Sequence, residues 1–352
     1  MNRIIQFVQK ERLYILILIF VLLFNLMGLM YTHDKAKAKN AKAPAAGVQR
    51  EEYDKEVAAQ KANIEKSLQK DQRLALLFGL ATLLMLAVLL LGIVIDLIVS
   101  SAILRKVFDI RSLSPPQAAW TVWDACKVVI LFLFFGYILV IAEAFLSMVA
   151  PGLKSENVRM IVNTSVLDIT AVVLVIYFAV TQYKGSLGAL GLSAKNFFKN
   201  VFYGVTGYIA LIPVLVLILA ITAVVINVTR YIPAKQPVVE LLLKEKDAAF
   251  LAYSSLFAAI LGPVIEELFF RGFLYGAFKK YIGVFWAMMI TAAIFATLHA
   301  HIVGFVPIMA LGVLLAYLYE KTGTLVSSIT VHMMHNLSMV FLVFLIKQTG
   351  AA

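Results

Sequence analysis

The sequence predicts an all-α membrane protein, a polytopic bundle of about nine transmembrane helices with a polar cavity among the last four. The first observation is composition, because 62% of the 352 residues are hydrophobic and 14% are charged, whereas soluble domains are roughly 45–50% apolar and about 25% charged. The second is that the apolar residues fall into stretches of about 20, the length of a helix that crosses the hydrocarbon core. A soluble globular fold is therefore excluded.

Nine apolar stretches are predicted to span the bilayer. The first, 13–31, is longer than the apolar region of a signal peptide and lacks a small-x-small cleavage site, so we expect a retained helix. The eighth, 303–319, is a re-entrant segment in the alternative interpretation. In chain order the stretches are 13–31, 74–100, 125–149, 158–182, 200–228, 249–270, 283–301, 303–319 and 324–346.

One polar segment, 32–72, interrupts this pattern. It begins with the low-complexity run DKAKAKNAKAPAAG, which is typical of a flexible chain. It continues with good helix formers and with Val57, Ile64 and Leu68 at i, i+7 and i+11, which predicts an amphipathic helix. The chain is thus predicted to comprise five parts: a first transmembrane helix (1–31), this polar segment, accessory helices (73–245), a functional core (246–346) and a short tail (347–352).

The charge balance indicates what the protein contacts. The formal net charge is +11, and with so little soluble sequence it indicates basic loops against anionic lipid rather than a nucleic-acid site. Cys126 is the single cysteine, which excludes an intrachain disulfide and a cysteine-rich metal site. We therefore expect the lipid bilayer as a partner and no nucleic acid, and the oligomeric state is left open.

Ionisable and amide side chains lie inside the apolar region 253–345. Each charged group near the bilayer centre costs roughly 2.5–3.5 kcal/mol on insertion scales, so such groups are rarely retained without a use. Together they predict a polar site built among the last helices. The residues are Glu266, Glu267, Arg271, His299, His332, His335 and Asn336.

The two acids are expected to differ in role. Glu267 and Arg271 are four residues apart, so on a helix they form an ion pair. Glu266 is rotated by about 100° from Glu267 and is expected to face a neighbouring helix as a free carboxylate. Pro263 loosens the preceding turn and helps to aim the next turn of the helix. The alternative is a purely structural charge cluster.

The histidines fall on two further helices. His299 follows Phe295 by four residues, and Asn336 follows His332 by four, so each pair shares a helix face. The alternative is that such groups serve only as hydrogen-bond links between helices. His301 points about 200° away from His299 and is expected to be an ordinary polar residue near an interface.

Three short motifs carry a family resemblance. EELFFR at 266–271, FATLH at 295–299 and HMMHN at 332–336 match the EExxxR, FxxxH and HxxxN motifs of the CAAX protease and bacteriocin-processing family, in the expected order. The sequence most resembles the CAAX prenyl endopeptidase branch. The resemblance covers roughly residues 245–346 and leaves the first 240 residues unexplained.

The resemblance implies an intramembrane glutamate protease in a cell membrane, by comparison with bacterial members a plasma membrane. Its substrates would be membrane-associated proteins or peptides, lipidated ones included. Glu266, assisted by His299, would activate a water molecule, while His332 and Asn336 would stabilise the oxyanion. Glu267 and Arg271 would support the site, and His335 falls at a variable position of its motif. Peptide hydrolysis needs a base and oxyanion donors, so this set requires no cofactor.

Three alternatives stay open. His299, His332 or His335, and Glu266 form a possible His₂Glu zinc set, although the sequence has no HExxH motif. A membrane scaffold or bacteriocin self-immunity protein would keep the motifs without cleaving anything. A transporter with an acid–histidine proton relay would be expected to show a repeated motif or a pair of broken helices in the other half, and the sequence has neither.

Overall fold

A computed structural model describes residues 2–40, 46–100, 117–149, 156–234, 236–299 and 301–350. These residues form helices joined by turns and short irregular connections, without a strand among them. Eight helical segments in the described part of the chain are long and apolar enough to cross a bilayer, which confirms the predicted all-α, multi-pass membrane protein. They are Ile5–Met30, Gln72–Ser100, Val122–Leu146, Val162–Gln182, Phe197–Thr229, Ala248–Leu298, Ile302–Thr322 and Val326–Gln348.

Twelve α-helices are labelled in chain order. They are α1 (Asn2–Asn40), α2 (Ala46–Lys70), α3 (Gln72–Ser100), α4 (Val122–Val149), α5 (Glu156–Ile176), α6 (Phe197–Thr229), α7 (Pro237–Lys244), α8 (Ala248–Leu256), α9 (Gly262–Glu267), α10 (Gly276–Leu298), α11 (Ile302–Thr322) and α12 (Val326–Gln348). Three π-helical segments follow α5, α8 and α9, at Tyr177–Gln182, Phe257–Leu261 and Leu268–Tyr275.

The predicted span 249–270 and most of the predicted span 283–301 fall within the single segment Ala248–Leu298 of 51 residues. A continuous helix of that length would measure about 77 Å, well beyond the hydrocarbon core of about 30 Å. Gly283 interrupts it, with φ 76° and ψ 173°, values that a residue without a Cβ adopts readily. The interruption divides the segment near the predicted start of the seventh span, and the total of nine spans stays a prediction.

The described residues divide into two compact units. The first comprises Met1–Ala45 and Ala119–Gly185 and contains α1, α4 and α5. A buried polar cluster joins α1 to α4, because Nζ of Lys127 lies 3.0 Å from Glu11 and 3.6 Å from Asp124. The hydroxyl of Tyr183 donates to Asp124. These charges are paired, as buried charges must be.

The second unit comprises Ala46–Ala118 and Ser186–Ala352 and contains α2, α3 and α6 to α12. Helix α6 lies at its centre, since its buried residues pack against α11 and α12. A Cβ on Gly92 of α3 would lie 2.4 Å from the carbonyl oxygen of Ile209 on α6, so the two backbones are in direct contact there. The structure thus groups α3 and α6 with the helices after 245, whereas the sequence-based division separated them.

The polar segment 32–72 differs in part from its expectation. Residues 32–40, predicted to be flexible, continue α1 as a helix, which suits their lysine and alanine content. Helix α2 then occupies the part predicted to be helical. Its Ser67 donates to the carbonyl of Thr349 at 2.7 Å, and Nη1 of Arg50 donates to that of Tyr231 at 3.0 Å. These bonds attach α2 to the second unit.

Candidate active site

Glu266 and Glu267 are the last two residues of α9, and the π-helical segment Leu268–Tyr275 follows them. Glu267 is fully buried and Arg271 is 1% exposed. Nη1 of Arg271 lies 2.7 Å from Oε1 of Glu267, which is the i, i+4 ion pair predicted from the sequence. Nη2 donates to the carbonyl of Gly312 on α11 at 3.0 Å. Segments of π-helix occur often at functional sites, and this one carries the arginine across to α11.

Glu267 has a second partner that the sequence did not predict. Nδ1 of His332 on α12 lies 2.9 Å from the same Oε1. A carboxylate can only accept, so Nδ1 carries the hydrogen and donates it. The other ring nitrogen, Nε2, then lies 3.8 Å from Oε2 of Glu266. One buried imidazole, 2% exposed, therefore stands between the two acids.

Glu266, the acid predicted to be a free carboxylate, faces His332 of α12. Its side chain is 38% exposed, yet its Oε2 is buried and has no hydrogen-bond partner among the described residues. A distance of 3.8 Å to His332 is too long for a direct hydrogen bond. Buried polar atoms are rarely left unpaired in folded proteins, so such an oxygen is typical of a site that binds a hydrogen-bonding ligand.

The buried ring of Phe295 connects the three motifs. Its centroid lies 4.6 Å from that of His299 and 5.5 Å from that of His332. The guanidinium carbon of Arg271 lies 4.7 Å from the same centroid, in cation–π geometry. Phe295 thus contacts one residue from each of the three motifs, and its ring lies against both histidines.

His299 ends α10, and its exposed ring is oriented by its own helix. Nδ1 lies 2.8 Å from the carbonyl oxygen of Phe295. Because a carbonyl only accepts, Nδ1 carries the hydrogen, and in the neutral ring Nε2 is left as an acceptor. The structure therefore joins His299 to the cluster through Phe295 and leaves its basic nitrogen available.

Asn336 is held by a different neighbour. Its Nδ2 donates to the carbonyl of Ala258 at 2.7 Å, within the π-helical segment Phe257–Leu261. The sequence predicted that His332 and Asn336 face one point. Their described hydrogen bonds are to Glu267, at the end of α9, and to Ala258, in the π-helical segment before α9, so one amide N–H of Asn336 is already used. A shared point faced by both side chains stays a prediction.

Two other histidines have distinct surroundings. His301 caps α11, since its Nδ1 accepts from the N–H of Gly304 at 2.9 Å, and its Nε2 lies 3.0 Å from the carbonyl of Ala234. This is the ordinary polar role expected of it. His335 packs edge-on against Tyr208 of α6, with centroids 6.0 Å apart, and its Nδ1 is buried without a partner among the described residues.

The sequence alternative of a zinc site can be compared with this arrangement. Across the described ranges, no group of three or more His, Cys, Asp or Glu side chains is placed to hold a metal ion. Glu266 lies 3.8 Å from Nε2 of His332, and Nδ1 of the same ring is engaged by Glu267, an arrangement that also occurs around metal-ligating histidines.

Fold and cluster together define a multi-pass membrane protein with an acid–imidazole site between its helices. The family described as "Type II CAAX prenyl endopeptidase Rce1-like" matches residues 248–338. This range contains all three motifs and confirms the resemblance inferred from them.

A relative in Bacillus subtilis (strain 168), named "Putative membrane peptidase YdiL", is 33% identical over 79 residues. The aligned segment is 22% of this chain and 32% of the relative, so the similarity spans about a third of that protein. No solved structure matches the chain.

Proposed function

We propose that the protein is an intramembrane endopeptidase that hydrolyses peptide bonds of membrane-associated proteins or peptides. One observation carries the proposal. A carboxylate with an unpartnered buried oxygen, Glu266, lies 3.8 Å from an imidazole, His332, whose other nitrogen is fixed by Glu267. A purely structural charge cluster would not require an unpartnered carboxylate, an imidazole of fixed orientation and a supporting ion pair together.

Glu266 is the general base. It takes a proton from a water molecule as the oxygen attacks the scissile carbonyl carbon, and Nε2 of His299 accepts the second hydrogen bond of that water. The tetrahedral intermediate then collapses, the C–N bond breaks, and the proton on Glu266 passes to the leaving amine. The reaction consumes one water and forms no covalent enzyme intermediate.

His332 stabilises the oxyanion only in its protonated form. Its Nδ1–H already donates to Glu267, so Nε2 donates to the oxyanion only when it also carries a hydrogen. Glu267 orients the ring of His332, and Arg271 holds Glu267 in place.

Asn336 supplies the second donor. One of its two amide N–H groups is bound by Ala258, and the other is available for the oxyanion. The bond to Ala258 fixes the amide plane before substrate arrives, which is the preorganisation that oxyanion stabilisation requires.

The matching family is described by its action on CAAX prenyl substrates, so prenylated C-terminal peptides are the first substrate class for this chain. A lipid anchor would hold such a peptide at the bilayer, where the site lies among apolar helices. A lipid-anchored substrate would therefore reach the site by diffusing within the bilayer that surrounds the protein.

The test uses the purified full-length protein in proteoliposomes. The probes are an S-farnesylated tagged peptide with a CAAX terminus and an unmodified peptide on a transmembrane anchor. We expect Glu266→Gln to lower cleavage by about 10²–10⁴. Glu240→Gln, which changes an exposed carboxylate on α7, is the matched control.

The outcomes separate the candidates. Cleavage by Glu266→Gln at the wild-type rate would remove the proposed base. Loss of wild-type cleavage in a chelator, restored by Zn²⁺, would favour the zinc set. A folded wild-type protein that cleaves no probe, and whose cellular phenotype survives Glu266→Gln, would favour a scaffold or self-immunity protein.

A further inference from the structure

His335 is a partly buried histidine that the proposed mechanism does not use. It lies on α12, three residues after His332 and one before Asn336, so on an ideal helix it is about 60° around the axis from His332. The ring therefore belongs to the same part of the second unit as the proposed catalytic groups.

The decisive atom is Nδ1 of His335, which is buried and has no hydrogen-bond partner in the described part of the chain. The same condition holds for other side chains of the second unit. Buried atoms of Ser254, Ser255, Glu266, Glu267, Arg271 and His335 all lack a partner, so six of the eight such atoms described lie on α8–α12. A concentration of unsatisfied polar atoms is typical of a site that receives a polar ligand.

The ring of His335 is held rigidly. Helices α6 and α12 run side by side, and Oγ of Ser327 donates to the carbonyl of Asn200 at 2.9 Å. One turn further, a Cβ on Gly204 would lie 2.6 Å from Cβ of Thr330, so the helices touch there.

The next turn brings Tyr208 against His335, at 6.0 Å and 79° between ring planes. Packing thus fixes the direction of the imidazole before any ligand binds.

We propose that His335 is a substrate-binding residue whose Nδ1 hydrogen-bonds a backbone amide group of the peptide beside the scissile bond. The inference rests on the proposed endopeptidase function. A peptide backbone is the ligand that fits, because it presents N–H and C=O groups at regular spacing and an imidazole nitrogen can pair with either. Tyr208, from a helix outside the three motifs, acts as a positioning residue through its contact with the ring.

Substitutions at 335 distinguish hydrogen bonding from packing. His335→Asn places an amide close to the position of Nδ1, whereas His335→Gln places it nearer to that of Nε2. His335→Phe keeps an aromatic ring against Tyr208 and removes the polar atom. His301→Asn is the control, since asparagine also caps helices.

Affinity is measured without turnover, by binding of the labelled S-farnesylated CAAX peptide to each variant in a Glu266→Gln background in lipid nanodiscs. His335→Phe and His335→Gln should weaken binding by about tenfold, while His335→Asn and His301→Asn stay within about threefold. In the active protein, which keeps the native Glu266, His335→Phe and His335→Gln should raise KM more than they lower kcat.

The results separate this inference from the function on which it rests. Wild-type cleavage with unchanged affinity and KM in His335→Phe overturns the role of His335 alone. Peptide binding that depends on His335, without cleavage by the wild type, rejects the endopeptidase and keeps the binding residue. If His335→Phe does not fold, equal affinity of the Asn and Gln variants overturns the inference.

Discussion

Nδ1 of His332 and Oε1 of Glu267 lie 2.9 Å apart and join α12 to α9. The same Oε1 lies 2.7 Å from Nη1 of Arg271, so one oxygen accepts from an imidazole and a guanidinium. All three side chains are nearly or fully buried. The second acid of the EExxxR motif is therefore more than a partner for its arginine, because it also orients the proposed oxyanion donor.

The first prediction concerns that orientation. Glu267→Gln replaces a carboxylate that accepts from both His332 and Arg271 by an amide that also donates, so it no longer fixes the orientation of the His332 ring as the carboxylate does. We expect kcat to fall by about 10²–10⁴ with a smaller change in KM. Steady-state cleavage in proteoliposomes measures this. A variant with unchanged kcat would show that the hydrogen bond does not assist catalysis.

The second prediction concerns the stability of the buried pair. Arg271→Met leaves the carboxylate of Glu267 without its guanidinium, and we expect it to lower the free energy of unfolding by about 3–5 kcal/mol. Glu267→Gln and the double variant Glu267→Gln/Arg271→Met complete a double-mutant cycle.

Because the double variant leaves no unpaired buried charge, it should lose less stability than the sum of the single variants. Unfolding in detergent, followed by circular dichroism, provides the four values. Strict additivity would mean that the two charges do not stabilise each other in the folded protein.

The sequence predicts local relationships at this site and misses non-local ones. The pair of Glu267 with Arg271 follows from helical spacing alone. The bond between Glu267 and His332 joins residues 65 positions apart, and nothing in the spacing of either helix predicts it.

The same limit applies to the fold. Hydropathy predicts which segments span the membrane, because bilayer thickness sets their length. It does not predict which spans pack together, since all of them are apolar. The grouping of α3 and α6 with the last helices depends on small residues at crossings, such as Gly92 and Gly204, and a single glycine in an apolar run has no distinctive pattern.

The third prediction tests that grouping with two glycines of α3. A Cβ on Gly92 would lie 2.4 Å from a backbone oxygen of α6, whereas a Cβ on Gly79 would meet nothing within 4 Å. Gly92→Ala should therefore lower the melting temperature, and Gly79→Ala should leave it unchanged or raise it, because alanine is the better helix former.

The cleavage rate should also fall in Gly92→Ala and stay near the wild-type rate in Gly79→Ala, since Tyr208 of α6 packs against His335. Thermal unfolding and activity of both variants in one detergent are compared with the wild type. Equal melting temperatures for the two alanine variants would contradict a tight contact between α3 and α6.

The fourth prediction concerns Asn336. Asn336→Ala removes the proposed oxyanion donor, and we expect kcat to fall by about 10²–10³, the range observed when one such donor is lost. The substitution also removes the bond to Ala258, so stability must be measured alongside the rate.

Asn25→Ala is the matched control for this second effect, because Nδ2 of Asn25 likewise donates to a helix carbonyl, that of Val21, at 2.8 Å. A loss of rate in Asn336→Ala with a melting temperature as little changed as in the control assigns the amide to the reaction. A loss of rate that tracks the loss of folded protein would assign it to the connection between α12 and the π-helical segment after α8.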